Sequence, residues 1–128
     1  MRRQHPTEAA SQEALISFCT MLEPRVPALR WLFHVPNGGW RHKAVAVQMQ
    51  RHGVKPGVPD LLLPVASGRF HGFACELKSA SGRLQPTQEA WLDMLESQSW
   101  CCVVCWRWED AARELLRYLQ HNPEEYGL

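Results

Sequence analysis

The sequence predicts one α/β domain, a mixed four-stranded sheet flanked by helices in the order α-β-α-β-β-α-β-α. Three observations predict it. Apolar residues recur at helical spacing in separate stretches of the chain. Two apolar runs, one ending at Leu63 and one starting at Phe73, flank a turn at Ser67-Gly68-Arg69, the pattern of a β-hairpin. A further apolar run, Trp100 to Trp106, follows a helix long enough to serve as a crossover, so it is expected to pair parallel to the second hairpin strand. A chain of 128 residues suffices for one core and not for two. The domain is therefore expected to take in residues 1–128, with its core over about residues 7–119.

Each element has a local reason. Thr7 is an N-cap with Glu8 in the first turn, and Ala14, Leu15, Phe18, Met21 and Leu22 form an apolar stripe that stops before Pro24. Trp31-Leu32-Phe33-His34-Val35 reads as a short strand ending at Pro36, and Asn37-Gly38-Gly39 as a turn. A helix from about Arg41 to His52 ends at Gly53. Val54-Lys55-Pro56-Gly57 is a constrained loop leading to Asp60. Pro64 cannot donate to a sheet ladder, so a strand end, an edge or a register-shifting bulge is expected there. Pro86 opens a helix with Trp91, Leu92 and Leu95 inward. The last helix runs from Glu109-Asp110 to Leu119, and the polar tail from His121 to Leu128 is expected to fray.

Composition bounds the function. A net charge of +1 does not advertise a nucleic-acid partner, so any such partner requires basic residues gathered on one face. Arg25, Arg30, Arg41, His42, Lys43, Arg51, His52 and Lys55 fall in one third of the sequence and permit that face. Cys101, Cys102 and Cys105 lie along a single strand, an arrangement suited to buried free thiols rather than to zinc knuckles or disulfides. No segment approaches the roughly 20 apolar residues of a membrane span. The polar opening lacks a signal peptide's apolar stretch, and a reducing cytoplasm fits best.

The chemistry concentrates on the hairpin. Centred on Gly68, it sets Asp60 opposite Glu76, with Cβ atoms roughly 4.5–5.5 Å apart on one face. Lys78 points to that face by the period of two. Two carboxylates so close repel unless a cation lies between them, and Mg²⁺ is typically held by one or two carboxylates. The backbone carbonyl of Leu77 offers a further oxygen, and Lys78 can activate a water or stabilise charge on a scissile phosphate. A plain salt bridge across the hairpin is the competing reading.

Pro59-Asp60 followed by Glu76-Leu77-Lys78 resembles the PD-(D/E)xK nuclease signature. The longer set of Val35-Pro36-Asn37-Gly38-Gly39, Gly53-Val54-Lys55-Pro56-Gly57-Val58-Pro59-Asp60-Leu61-Leu62, Glu76-Leu77-Lys78 and Gln88-Glu89-Ala90-Trp91-Leu92 resembles the VRR-NUC (virus-type replication-repair nuclease) family. The resemblance implies a restriction-endonuclease-like core and a DNA endonuclease dependent on Mg²⁺ or Mn²⁺. Asp60 and Glu76 would hold the ion, Glu8 on the first helix would reach it directly or through water, Lys78 would activate the hydrolytic water, and Gln88 would sit near the ion or the phosphate. The Glu8 and Gln12 pair matches the family pattern, with Glu13 the competing carboxylate and dipole complementation the simpler role for Glu8. Asn37 and His34 become candidates for substrate contact, as do Arg41, Lys43 and Lys55 for DNA. The simpler roles are a turn for Asn37, a hydrogen-bonded strand residue for His34, a solvated lysine for Lys55 and a surface residue for Gln88. Compact family members imply a homodimer cutting branched DNA such as a four-way junction, in a bacterial or phage-infected cytoplasm. A flap or nicking nuclease, and a silent DNA-binding module, are the alternatives.

Overall fold

The structure, a computed structural model, describes residues 7–36 and 42–128. Helix α1, Glu8–Leu22, begins as its sequence dictates: Thr7 Oγ1 accepts a hydrogen bond from the Ala10 N–H at 3.0 Å. Its buried stripe is Ser11, Leu15, Cys19 and Leu22. Met21, expected inside, is 68% exposed, because it lies one residue and so about 100° away from that stripe. The strand expected from Trp31 is also shorter than its apolar run. Pro27 opens a 3-10 turn through Trp31, which buries Leu29, and only Phe33–His34 remain as β1. Asn37 and Arg41 lie outside the described residues.

Helix α2, Lys43–Arg51, buries none of its residues, and Gly53 follows its end at φ +94°. Strands β2, Leu61–Leu63, and β3, Gly72–Leu77, form the hairpin. Leu61 faces Cys75, Leu62 faces Ala74 and Leu63 faces Phe73, so the ladder carried one step further sets Asp60 against Glu76. Pro64 ends β2 and does not shift the register. Helix α3, Pro86–Ser97, crosses over to β4, Trp100–Cys105, which pairs parallel to β3 as its crossover length predicts. Helix α4 is Trp108–Tyr118. The sheet order is β1-β2-β3-β4, antiparallel on one side and parallel on the other.

Every position of β3 is buried. On one face Phe73, Cys75 and Leu77 join Leu61, Leu63 and the α1 and α4 residues Leu15, Leu22, Leu115 and Leu116 in the main core. On the other face lies α3, whose Gln88 reaches Glu76. This alternation sends Leu77 into oil and its neighbours Glu76 and Lys78 toward the helix that serves them.

All five cysteines are free, with Cys101 and Cys102 only partly buried. The tail does not fray. It forms a 3-10 turn, Pro123–Tyr126, with the Asn122 side chain accepting from the Glu124 N–H at 3.1 Å and His121 Nδ1 2.9 Å from the Tyr126 hydroxyl. The Arg25 guanidinium lies 4.5 Å from the centre of the Tyr126 ring. Polar residues that read as a solvated end are here caps and clamps. No helix of the described residues is long and apolar enough to cross a membrane.

Candidate active site

Asp60 precedes β2 and Glu76 is the penultimate residue of β3, so the site stands at the open end of the hairpin. Each carboxylate is tied to the other strand's main chain. Asp60 Oδ2 accepts from the Leu77 N–H at 2.8 Å, and Glu76 Oε2 accepts from the Asp60 N–H at 3.2 Å. Reciprocal bonds of this kind fix both side chains on one face.

Lys78 follows β3, anchored by its own N–H to the Cys105 carbonyl at 2.9 Å. Its side chain is only 7% exposed, and its ammonium lies 3.5 Å from Glu76 Oε1 and donates to Gln88 Oε1 at 2.7 Å. Gln88 sits in the first turn of α3, and its Nε2 donates to Glu76 Oε1 at 3.0 Å. The same Gln88 oxygen accepts from the Gln85 N–H at 2.8 Å, completing a capping box. With two donors on one side, only one orientation of the amide satisfies all three bonds. Gln88 thus caps its helix while bridging Lys78 and Glu76, which is more than a surface glutamine does.

The electrostatics are those of crowded carboxylates. Burial, followed by the Asp60 charge, pushes the Glu76 carboxyl up to about 7, against the opposing pull of Lys78. Burial also raises Asp60, with the Glu8 charge adding to it and the Leu77 N–H opposing. Glu8 opens α1, and its Oε1 accepts from the Ser79 N–H at 3.1 Å, one residue beyond Lys78. Among the described residues no three His, Cys, Asp or Glu side chains converge as a ligand set. Glu8 is therefore within electrostatic range of the pair and bonded beside it, as its part in the Asp60 shift and its Ser79 bond show.

The donor set nevertheless suits a hard cation. Two carboxylates held this close, both raised above their usual range, need a positive charge or a shared proton between them, and oxygen donors are what Mg²⁺ or Mn²⁺ takes. His34 completes the rim. Its Nδ1 lies 2.8 Å from the Asp60 carbonyl oxygen, which can only accept, so the proton is on Nδ1. His34 is exposed rather than half-buried, because β1 is an edge strand. Lys43 opens α2 and Lys55 stands exposed in the loop beyond it; among the described residues neither is bonded to the carboxylates.

Two supports had no signature in the spacing of motifs. The Trp91 Nε1–H donates to the Pro56 carbonyl at 3.1 Å. Gly57, at φ +89°, packs so tightly on α3 that a Cβ there would meet the Thr87 carbonyl oxygen at 2.5 Å. Together they dock the Asp60 loop on the helix that carries Gln88.

A mixed sheet with a carboxylate pair, a lysine and a helix glutamine at the end of its central hairpin defines a nuclease-type domain of restriction-endonuclease-like fold. Residues 34–107, more than half of the sequence, match the VRR-NUC domain model, and the chain belongs to that family. The structure is similar to a solved VRR_NUC domain protein with a TM-score of 0.74 at 23% identity, over 91% of each chain, which supports the fold. No curated protein matches the sequence.

Proposed function

We propose that this domain is a metal-dependent endonuclease that hydrolyses phosphodiester bonds in DNA, acting on branched structures in the manner of a Holliday-junction resolvase and as a homodimer. The observation that carries the reading is that Gln88 joins Lys78 to Glu76 while Asp60 is tied by its N–H to the Glu76 carboxylate and by its own carboxylate to the Leu77 N–H. A salt bridge needs only Lys78 and Glu76. Here a second carboxylate is brought in as well, at the cost of raising both acids.

Asp60 and Glu76, with the Leu77 carbonyl, would hold Mg²⁺ or Mn²⁺, and the bound cation supplies Lewis-acid polarisation of the phosphate and a more acidic water. Glu76 and Gln88 fix the ammonium of Lys78, which orients the attacking water and stabilises charge growing on the phosphate oxygens. Glu8 adds negative charge at the Lys78–Ser79 end and would reach the ion through water. Lys43 and Lys55, with Asn37 and Arg41, supply backbone contacts to DNA. Two copies related by a two-fold axis suit a four-way junction, which requires two related cuts.

Nicking of supercoiled plasmid with Mg²⁺ or Mn²⁺, then a panel of labelled junction, flap, splayed-arm and duplex substrates, tests the reading. Metal-dependent cutting that favours junctions is expected. Tight binding with no cutting under either metal would replace it with a silent DNA-structure-binding module, and preference for flaps would make it a flap nuclease.

A further inference from the structure

Resting on that nuclease reading, we infer that the cleft between α1 and β1 receives a single unpaired nucleobase next to the scissile phosphate. The cleft measures about 550 Å³, within the roughly 300–1,000 Å³ typical of small-molecule sites. Gln12, Glu13, Ile16 and Ser17 form one wall, and Leu32, Phe33 and His34 the other.

Three features select the occupant. Continuity comes first: His34 lines the cleft and also bonds the Asp60 carbonyl, so whatever enters lies beside the carboxylate pair. Charge comes second. Among the described residues the lining contains no lysine or arginine and does contain Glu13, which disfavours a phosphate and accepts hydrogen bonds from the amino and imino groups of a base. The third is surface chemistry. Phe33 lines the cleft and is 47% exposed, which leaves its ring available for stacking. Exposed aromatic rings are a means by which proteins hold unstacked bases.

A base stacked inside a continuous duplex cannot reach such a cleft without being extruded, at a cost of a few kcal/mol. Substrates that already present an unpaired nucleotide at the cut avoid that cost. The cleft therefore selects phosphodiesters at junction centres, flap bases or bulges over those in uninterrupted duplex.

The test uses flap DNA of one sequence in which a base-free tetrahydrofuran nucleotide is walked position by position across the mapped cut. At one flanking position the missing base is expected to slow cutting on the order of tenfold, the discrimination a single base–aromatic stack supplies. Ser17→Trp places a ring in the cleft from an exposed helix position. It is expected to lower cutting of the natural substrate to the level of the base-free one. Binding of the same DNA series in Ca²⁺, read by fluorescence anisotropy, gives the contrast without cleavage. A protein that cuts nothing yet shows the binding contrast defeats the nuclease reading and keeps the base cleft. Equal cutting and equal binding at every position, or a contrast that survives Ser17→Trp, overturns it.

Discussion

The two edges of the sheet are built in opposite ways. At one edge β4 contributes six residues, pairs parallel with β3 along its whole length, and is packed by α3 on one face and α4 on the other. At the other, β1 contributes two exposed residues, and α2, the next helix in the chain, buries none of its own. Glu76, Lys78 and Gln88 belong to the dense half; Asp60 stands at the boundary, with His34, Lys43 and Lys55 on the sparse side. On the proposed reading, the residues assigned to the ion and the attacking water sit in or at the packed half, and those assigned to DNA stand where side chains are free to adjust.

Removing the boundary acid has the largest expected effect. Asp60→Ala should lower plasmid nicking by about 10³-fold or more and abolish the rise in melting temperature on adding Mn²⁺, as electrostatic sites typically behave. Unchanged metal affinity by titration calorimetry would remove Asp60 from the ligand set. Within the dense half, Lys78→Met should cut activity on the order of 10²-fold while the thermal response to metal persists. Loss of that response would make Lys78 a structural ion pair.

Next comes the seam between the halves. Gly57→Ala forces a Cβ onto the Thr87 carbonyl from a left-handed backbone and should cost about 2 kcal/mol or more, seen in urea unfolding. A neutral result would mean that the Asp60 loop is not clamped to α3. The smallest effect is on pH. Because the native Glu76 carboxyl is raised to about 7 from its ordinary 4.5, the folded metal-free protein holds a proton that the unfolded chain has released. The contribution of Glu76 to stability should be full below the lower value and be lost as pH rises through about 7, with Mg²⁺ restoring part of it above that point. Stability that rises over this window would show that the acid pair is not strained.

Most of the dense half could be read in the residues. Alternation over Phe73 to Leu77, a turn at Gly68 and a crossover helix determine the register, and the register determines that Asp60 meets Glu76. Pro64 looked able to disturb it and merely ended a strand. The sparse half was less legible. Trp31 belongs to a 3-10 turn because Pro27 and Leu29 favour it locally, whereas apolar character alone had suggested strand. Met21, expected in the apolar stripe of α1, lies outside it and Cys19 lies within it, because a stripe of four buried positions tolerates small or polar members such as Ser11. Trp91 on Pro56 and Glu8 on Ser79 join residues far apart in sequence by a single bond each, and periodicity carries no trace of such contacts. The tail's caps were visible as Asn122 and Pro123 but meant little until Arg25 supplied a ring partner's charge.

Because each acid is fastened to the opposite strand's backbone, assembling the cluster and zipping up the hairpin are one event. A chain still emerging from the ribosome, or one caught by a chaperone before the ladder closes, has no pair of acids to offer a cation. Such a polypeptide lacks the site on which the proposed cleavage depends until the ladder has closed. The same linkage means that a mutation which merely delays closure lowers the amount of assembled site without touching any of its side chains.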